Sequence, residues 1–171
     1  MRYHLRRQYK FYKKNLFNYS AVLKDTQGEV SRIEDCDYNC MSYAFGVFND
    51  WLQLDNFHPL INDNYFKASK EEQSVMMQEM LNKCCKEIIE RFGCRRIVSP
   101  SAARAGERVI AFRIGSDDFH FTRLNSDGTW THKPGGNYIR VMDNEELYSE
   151  EGWCSDIRRN PYISSLIFFA I

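Results

Sequence analysis

A chain of 171 residues is long enough for one domain with a full hydrophobic core and too short for two comfortable ones. Its composition, 43% hydrophobic and 15% aromatic, excludes intrinsic disorder, and 23 basic residues against 23 acidic ones leave no net charge to draw the whole molecule to nucleic acid or an anionic membrane. No apolar run approaches the roughly 20 residues that span a bilayer, and none follows the charged start, so neither a membrane span nor a secretory signal peptide is expected.

The chain opens with Arg2, Arg6, Arg7, Lys10, Lys13 and Lys14 interleaved with Tyr3, Leu5, Tyr9, Phe11, Tyr12, Leu16 and Phe17, a pattern of apolar packing beneath a solvated basic face. Residues 17–38 read as loop with one short strand and a turn around Thr26-Gln27-Gly28. Cys40 then opens a helix: Ala44, Val47, Phe48, Trp51 and Leu52 recur on one helical face, and either Asp37 or Asn39 can cap it. Residues 53–68 read as a polar connector.

The second helix carries the clearest signals. Ser69-Lys70-Glu71-Glu72 is a capping box; Met76, Met77, Met80, Leu81, Cys84, Cys85, Ile88 and Ile89 form a broad apolar face; Gly93 ends it. After Pro100 the period changes to two. Strands are predicted over Arg108–Ile114, Asp118–Leu124, Thr129–Lys133, Tyr138–Met142 and Ile163–Ile171, with a hairpin turn at Asn125-Ser126-Asp127-Gly128. Helices first and an antiparallel meander afterwards predict a single α+β domain over 1–171, its N-terminal helices packed on an antiparallel sheet.

Six cysteines raise the question of disulfides or zinc. No C-x-x-C pair occurs, Cys84 and Cys85 are adjacent on a helix face, and a Cys36–Cys40 bridge would close a very short loop. Reduced thiols, no metal site and no cofactor are therefore expected. A metal module gathering Cys36, Cys40, His120 and His132 lacks any supporting spacing.

A different chemistry fits the same residues. Cysteine hydrolases need a thiolate, an imidazole to take and return its proton, and a polar group to orient that imidazole. Cys40 stands at a helix start, where backbone N–H groups favour a thiolate, on the stripe that faces the sheet. His120 lies mid-strand, with Phe119 and Phe121 pointing to the opposite face. A hairpin with a three-residue loop would put His132 on the His120 face as its orienter; a two- or four-residue loop would separate them.

In this order the chain resembles the NlpC-type branch of the papain-like cysteine peptidases and amidases. The matching pieces are Asn39-Cys40-Met41-Ser42-Tyr43-Ala44, Gly106 with the strand after it, Phe119-His120-Phe121 and Trp130-Thr131-His132. The segment from Phe119 to Gly135 is also similar to a stretch of uncharacterised bacterial and phage proteins of this kind. The resemblance implies a papain-like fold and a thiol hydrolase with Cys40, His120 and His132 as catalytic residues. The Cys40 backbone N–H with Tyr38 or Asn39 would meet the oxyanion, and the substrate would be a peptide or a peptidoglycan-like amide. A catalytically silent relative, for example a structural protein of a phage particle bound to a protein partner, is the alternative. The protein is expected to be cytoplasmic as synthesised, with delivery elsewhere by lysis, a secretion system or a virus particle.

Overall fold

The computed structural model describes residues 23–24, 30–31, 38–47, 50–135, 139–149, 153 and 162–171. The basic start, Cys36, Asp37 and Phe48 lie outside them. Near the beginning, β1 (Leu23–Lys24) and β2 (Val30–Ser31) pair as an antiparallel ribbon apart from the main sheet, where one short strand was expected.

Helix α1 (Cys40–Phe45) starts where expected: Asn39 is its cap, the side-chain oxygen accepting from the Ser42 amide at 3.0 Å. It ends seven residues before the predicted Leu52. Gly46 adopts φ 76°, a left-handed value open to glycine, and its N–H closes on the Ser42 and Tyr43 carbonyls. The chain then doubles back. The Asn39 amide donates to the Leu52 carbonyl, and the Ser42 hydroxyl accepts from the Leu52 N–H at 3.0 Å. Leu52 is thus buried without belonging to the helix, whereas Val47 is left 36% exposed.

The predicted connector holds a short helix, α2 (Asp63–Lys67), capped by Asn62. Helix α3 (Lys70–Phe92) matches its sequence signals: both halves of the Ser69–Glu72 capping box form, and Gly93 ends it at φ 64°. Its buried side is Met77, Met80, Leu81, Cys84, Cys85 and Ile88, with Ile89 outside. Glu87 is also buried, its carboxylate accepting from the Asp55 and Asn56 backbone amides at 2.9 Å each.

The strands are β3 (Arg95–Ile97), β4 (Val109–Ile114), β5 (Phe119–Leu124), β6 (Trp130–His132), β7 (Arg140–Met142) and β8 (Ile167–Ala170). They form one antiparallel sheet in the order β3-β8-β4-β5-β6-β7. Helix α4 (Asn144–Tyr148) follows β7. The architecture is α+β, as the periodicity predicts; β3, α2 and α4 are additions to that reading.

Both faces of the central strands are covered. On one, Ile110, Phe112, Phe119, Phe121 and Phe169 pack with α1 and α3. On the other, Val109, Ala111, Trp130 and Phe168 pack with Leu147, Trp153 and Tyr162. Burial on two sides explains why β4 is occluded along its whole length although its residues alternate. Among the described residues no helix is long and apolar enough to cross a membrane.

Candidate functional site

The β5–β6 hairpin decides the relation of the two histidines. Asn125 N–H donates to the Thr129 carbonyl at 2.8 Å, so the loop proper is 126–128, and Gly128 takes φ 84°. This is the three-residue loop that keeps both histidines on one face. His132 lies opposite Thr122, two positions along β5 from His120. The diagonal is closed by a hydrogen bond of 2.7 Å between His120 Nε2 and His132 Nδ1, the rings standing nearly perpendicular at 85°. One nitrogen of that pair carries the proton and the other accepts it.

His120 is enclosed. Tyr162 stacks on the imidazole, with centroids 5.4 Å apart and planes 29° from parallel, and Trp153 meets it edge-on at 5.9 Å. Trp153 is held there by its indole N–H, which donates to the Leu147 carbonyl at 2.7 Å. Burial first, and His132 second, hold the His120 imidazole well below its ordinary basicity, so the ring is neutral.

Cys40 reaches the same strand from the helix side. Pairing of β5 with β6 stops at Thr122–His132, and beyond that end the Cys40 thiol donates to the Phe119 carbonyl at 3.8 Å. The sulfur therefore sits one residue along β5 from His120. It makes no hydrogen bond to either histidine among the described residues: the sulfur meets β5 from the α1 side, with Phe119 and Phe121, whereas the His120 ring points to the side of Trp153 and Tyr162, so the two are not a bonded pair.

The electrostatics of the thiol differ from the sequence expectation. Burial, followed by the negative charge of Asp118, pushes the Cys40 thiol up to about 12, against the opposing pull of the Phe121 and Met41 backbone amides and of Lys133. A six-residue helix offers only a few amides, and desolvation of a sulfur anion outweighs them. Thiol and imidazole are both neutral at rest.

The two residues expected to meet an oxyanion have other partners. Asn39 has both side-chain ends engaged, the oxygen by Ser42 and the amide by Leu52, because it caps α1 and fastens the returning chain. Tyr38 is buried against Tyr43, their rings 6.5 Å apart, with Lys133 Nζ 4.7 Å above the Tyr38 ring. Lys133 is itself buried and donates to the Gly135 carbonyl at 3.2 Å.

Sequence reasoning passed over Asp118, Lys133, Trp153 and Tyr162. Lys133 follows His132 directly and Asp118 precedes the His120 strand, so proximity in sequence could have nominated both. Trp153 and Tyr162 reach the histidine from distant segments, and nothing local marks them. Among the described residues no group of three or more His, Cys, Asp or Glu side chains is placed to hold a metal ion, and Cys40, Cys84, Cys85 and Cys94 are free thiols.

Compared with known families, residues 29–153 match the one described as Domain of unknown function (DUF7689). The chain belongs to that family. The match takes in Cys40, His120, His132 and Trp153 and ends before Tyr162. No curated protein and no solved structure matches the chain.

Proposed function

We propose that this protein is a thiol hydrolase of papain-like, NlpC-type architecture that cleaves an amide bond, with Cys40 as nucleophile, His120 as base and His132 as the orienting group. One observation carries the reading: the buried 2.7 Å bond between His120 and His132, formed on the strand whose neighbouring carbonyl holds the Cys40 thiol. A hydrogen bond at Nε2 fixes the imidazole's rotation, and in this reading Nδ1 is the nitrogen assigned to exchange a proton with the sulfur.

Because thiol and imidazole are both neutral, proton transfer accompanies attack and does not precede it. His120 takes the thiol proton as the sulfur–carbon bond forms at the substrate carbonyl. The carbon–nitrogen bond then breaks, and the proton passes from His120 to the departing amine. Water attacks the thioester with His120 accepting its proton; the sulfur–carbon bond breaks, the acid leaves, and the thiol is restored. The Cys40 backbone N–H is the oxyanion donor that remains, since the Asn39 side chain is engaged elsewhere. A peptide or a peptidoglycan-like amide is the substrate class.

The second reading is a catalytically silent relative that serves as a structural or binding protein, for example in a phage particle. The thiol held at about 12 and bonded to a backbone carbonyl favours it. Iodoacetamide labelling separates the two, with Cys84 as an internal standard because its thiol is pushed equally high, to about 12. The hydrolase reading predicts that Cys40 reacts at least about tenfold faster than Cys84 at pH 7.5, and that His120→Ala removes the excess. It also predicts a rate flat with pH from about 6.5 upward, where the imidazole is neutral, before the thiolate contribution appears. Equal labelling of the two thiols, rising about tenfold per pH unit, is the signature of the silent relative.

A further inference from the structure

We propose that Asp118 and Tyr162 are positioning residues of the Cys40–His120 site: the Tyr162 ring braces the His120 imidazole, and the Asp118 carboxylate fixes that ring and sets the charge facing the thiol. The inference rests on the hydrolase reading for its meaning in catalysis, but its geometry stands separately. The Tyr162 hydroxyl donates to Asp118 Oδ2 at 3.0 Å, while Asp118 Oδ1 accepts from the Phe119 amide at 2.8 Å. One carboxylate thus ties a residue far along the chain to the first residue of the His120 strand, whose carbonyl also accepts from Cys40.

The tyrosine is anchored from behind as well. Ser164 N–H donates to the Ile114 carbonyl at 3.1 Å, and the Ser164 hydroxyl accepts from the Ile114 amide at 2.9 Å, which pins the 162–164 segment to the end of β4. With that segment fixed, the ring cannot leave the imidazole unless the 3.0 Å bond breaks. Tyr162 is buried, whereas Asp118 is exposed.

The charges around the pair come from every neighbouring element: Arg113 of β4, opposite His120; Asp117 and Asp118 before β5; His132 of β6 and Lys133 after it; Cys40 of α1. Of these, Asp118 opposes a negative charge on sulfur and Lys133 favours it. Asp118→Asn removes the charge but keeps a hydrogen-bond partner at both places, its oxygen accepting from the Phe119 amide and its NH2 donating to the Tyr162 hydroxyl oxygen, and should therefore release the thiol without disturbing the ring.

Three variants of the full chain test this by two readouts that need no substrate: the pH profile of Cys40 alkylation by iodoacetamide and the NMR titration of labelled histidine. Asp118→Asn should speed Cys40 labelling about threefold between pH 8 and 10, an effect that 1 M salt suppresses, with the His120 signals unmoved. Tyr162→Leu should shift the His120 signals and raise its titration toward the ordinary value of about 6.5. Tyr162→Phe, which keeps the ring but loses its bond to Asp118, should move the His120 titration in the same direction by a smaller amount.

A parental labelling rate in Asp118→Asn, or a parental His120 titration in Tyr162→Leu, overturns the proposal. If Tyr162→Leu does not fold, Asp118→Asn decides alone, since its side chain is at the surface. An active hydrolase indifferent to these changes would sink this inference only. Responsive variants in a chain whose Cys40 labels no faster than Cys84 would sink the hydrolase reading and leave this one standing.

Discussion

Thr122 and Thr131 lie on neighbouring strands of the same hairpin, and their hydroxyls have opposite fates. Thr131 Oγ1 accepts from the Tyr43 hydroxyl at 2.8 Å and from the Asn125 amide at 3.1 Å, joining the hairpin to α1. Thr122 Oγ1, buried on the histidine face, has no hydrogen-bond partner among the described residues. An unmet buried hydroxyl is costly, whereas a paired one leaves its partner stranded when removed. Thr122→Val is therefore expected to be neutral or to stabilise by up to about 1 kcal/mol, and Thr131→Val to destabilise by about 1–3 kcal/mol, as read from urea unfolding. A loss in Thr122→Val as large as in Thr131→Val would show that the Thr122 hydroxyl has a partner after all. At this scale the sequence could mark Cys40, His120 and His132 by type and strand phase. The state of the thiol was beyond it, because desolvation depends on what surrounds the sulfur, and its neighbours Asp118 and Phe119 lie far away in sequence.

Among the elements, local hydrogen-bonding patterns were legible and chain reversals were not. The Ser69–Glu72 box predicted the start of α3, and Gly93 its end. An equivalent signal, Asp143 with Glu146, opens α4, with both halves of the box formed. That short helix matters to the site, because Leu147 at its far end is buried and its carbonyl holds the Trp153 indole against His120. Asp143→Ala should cost about 1 kcal/mol, as Ser69→Ala should, but only Asp143→Ala is expected to change Trp153 fluorescence. Identical spectra in the two variants would mean that Trp153 is held by packing and not by α4. The apolar spacing after Cys40 predicts a longer helix than the one that forms, because residues at helical spacing also arise when a chain turns back on itself. Gly46 reverses the direction, and Leu52 returns to the Asn39–Ser42 side chains instead of continuing the spiral.

For the whole molecule, the sheet order sets the acid response. Strand β8 enters between β3 and β4, so the first strand of the sheet is separated from the rest by the last residues of the chain. Across that gap the Arg95 guanidinium grips Glu107, Nε to Oε1 at 3.1 Å, and the Arg104 amide adds a bond of 2.6 Å. These hold the Glu107 carboxyl at about 2, below its ordinary 4.5. A depressed carboxyl stabilises the fold fully above 4.5 and loses that contribution as the pH falls toward about 2, so Glu107→Gln should flatten the fall in melting temperature over that window relative to the parent protein. His120, held neutral, adds a separate loss that begins higher: below about 6.5 the unfolded chain takes a proton there that the folded one refuses. The amino-acid sequence by itself determined the α+β class, the long capped helix, the strand phases and the three residues that nominate a thiol chemistry, because periodicity, caps and turns are short-range effects carried by adjacent residues. Only the tertiary structure decided that the hairpin loop brings His132 onto His120, that Tyr162 and Trp153 enclose the imidazole, and that the Cys40 thiol is held neutral. Stacking, desolvation and long-range pairing depend on which distant segments meet, and no local pattern encodes that.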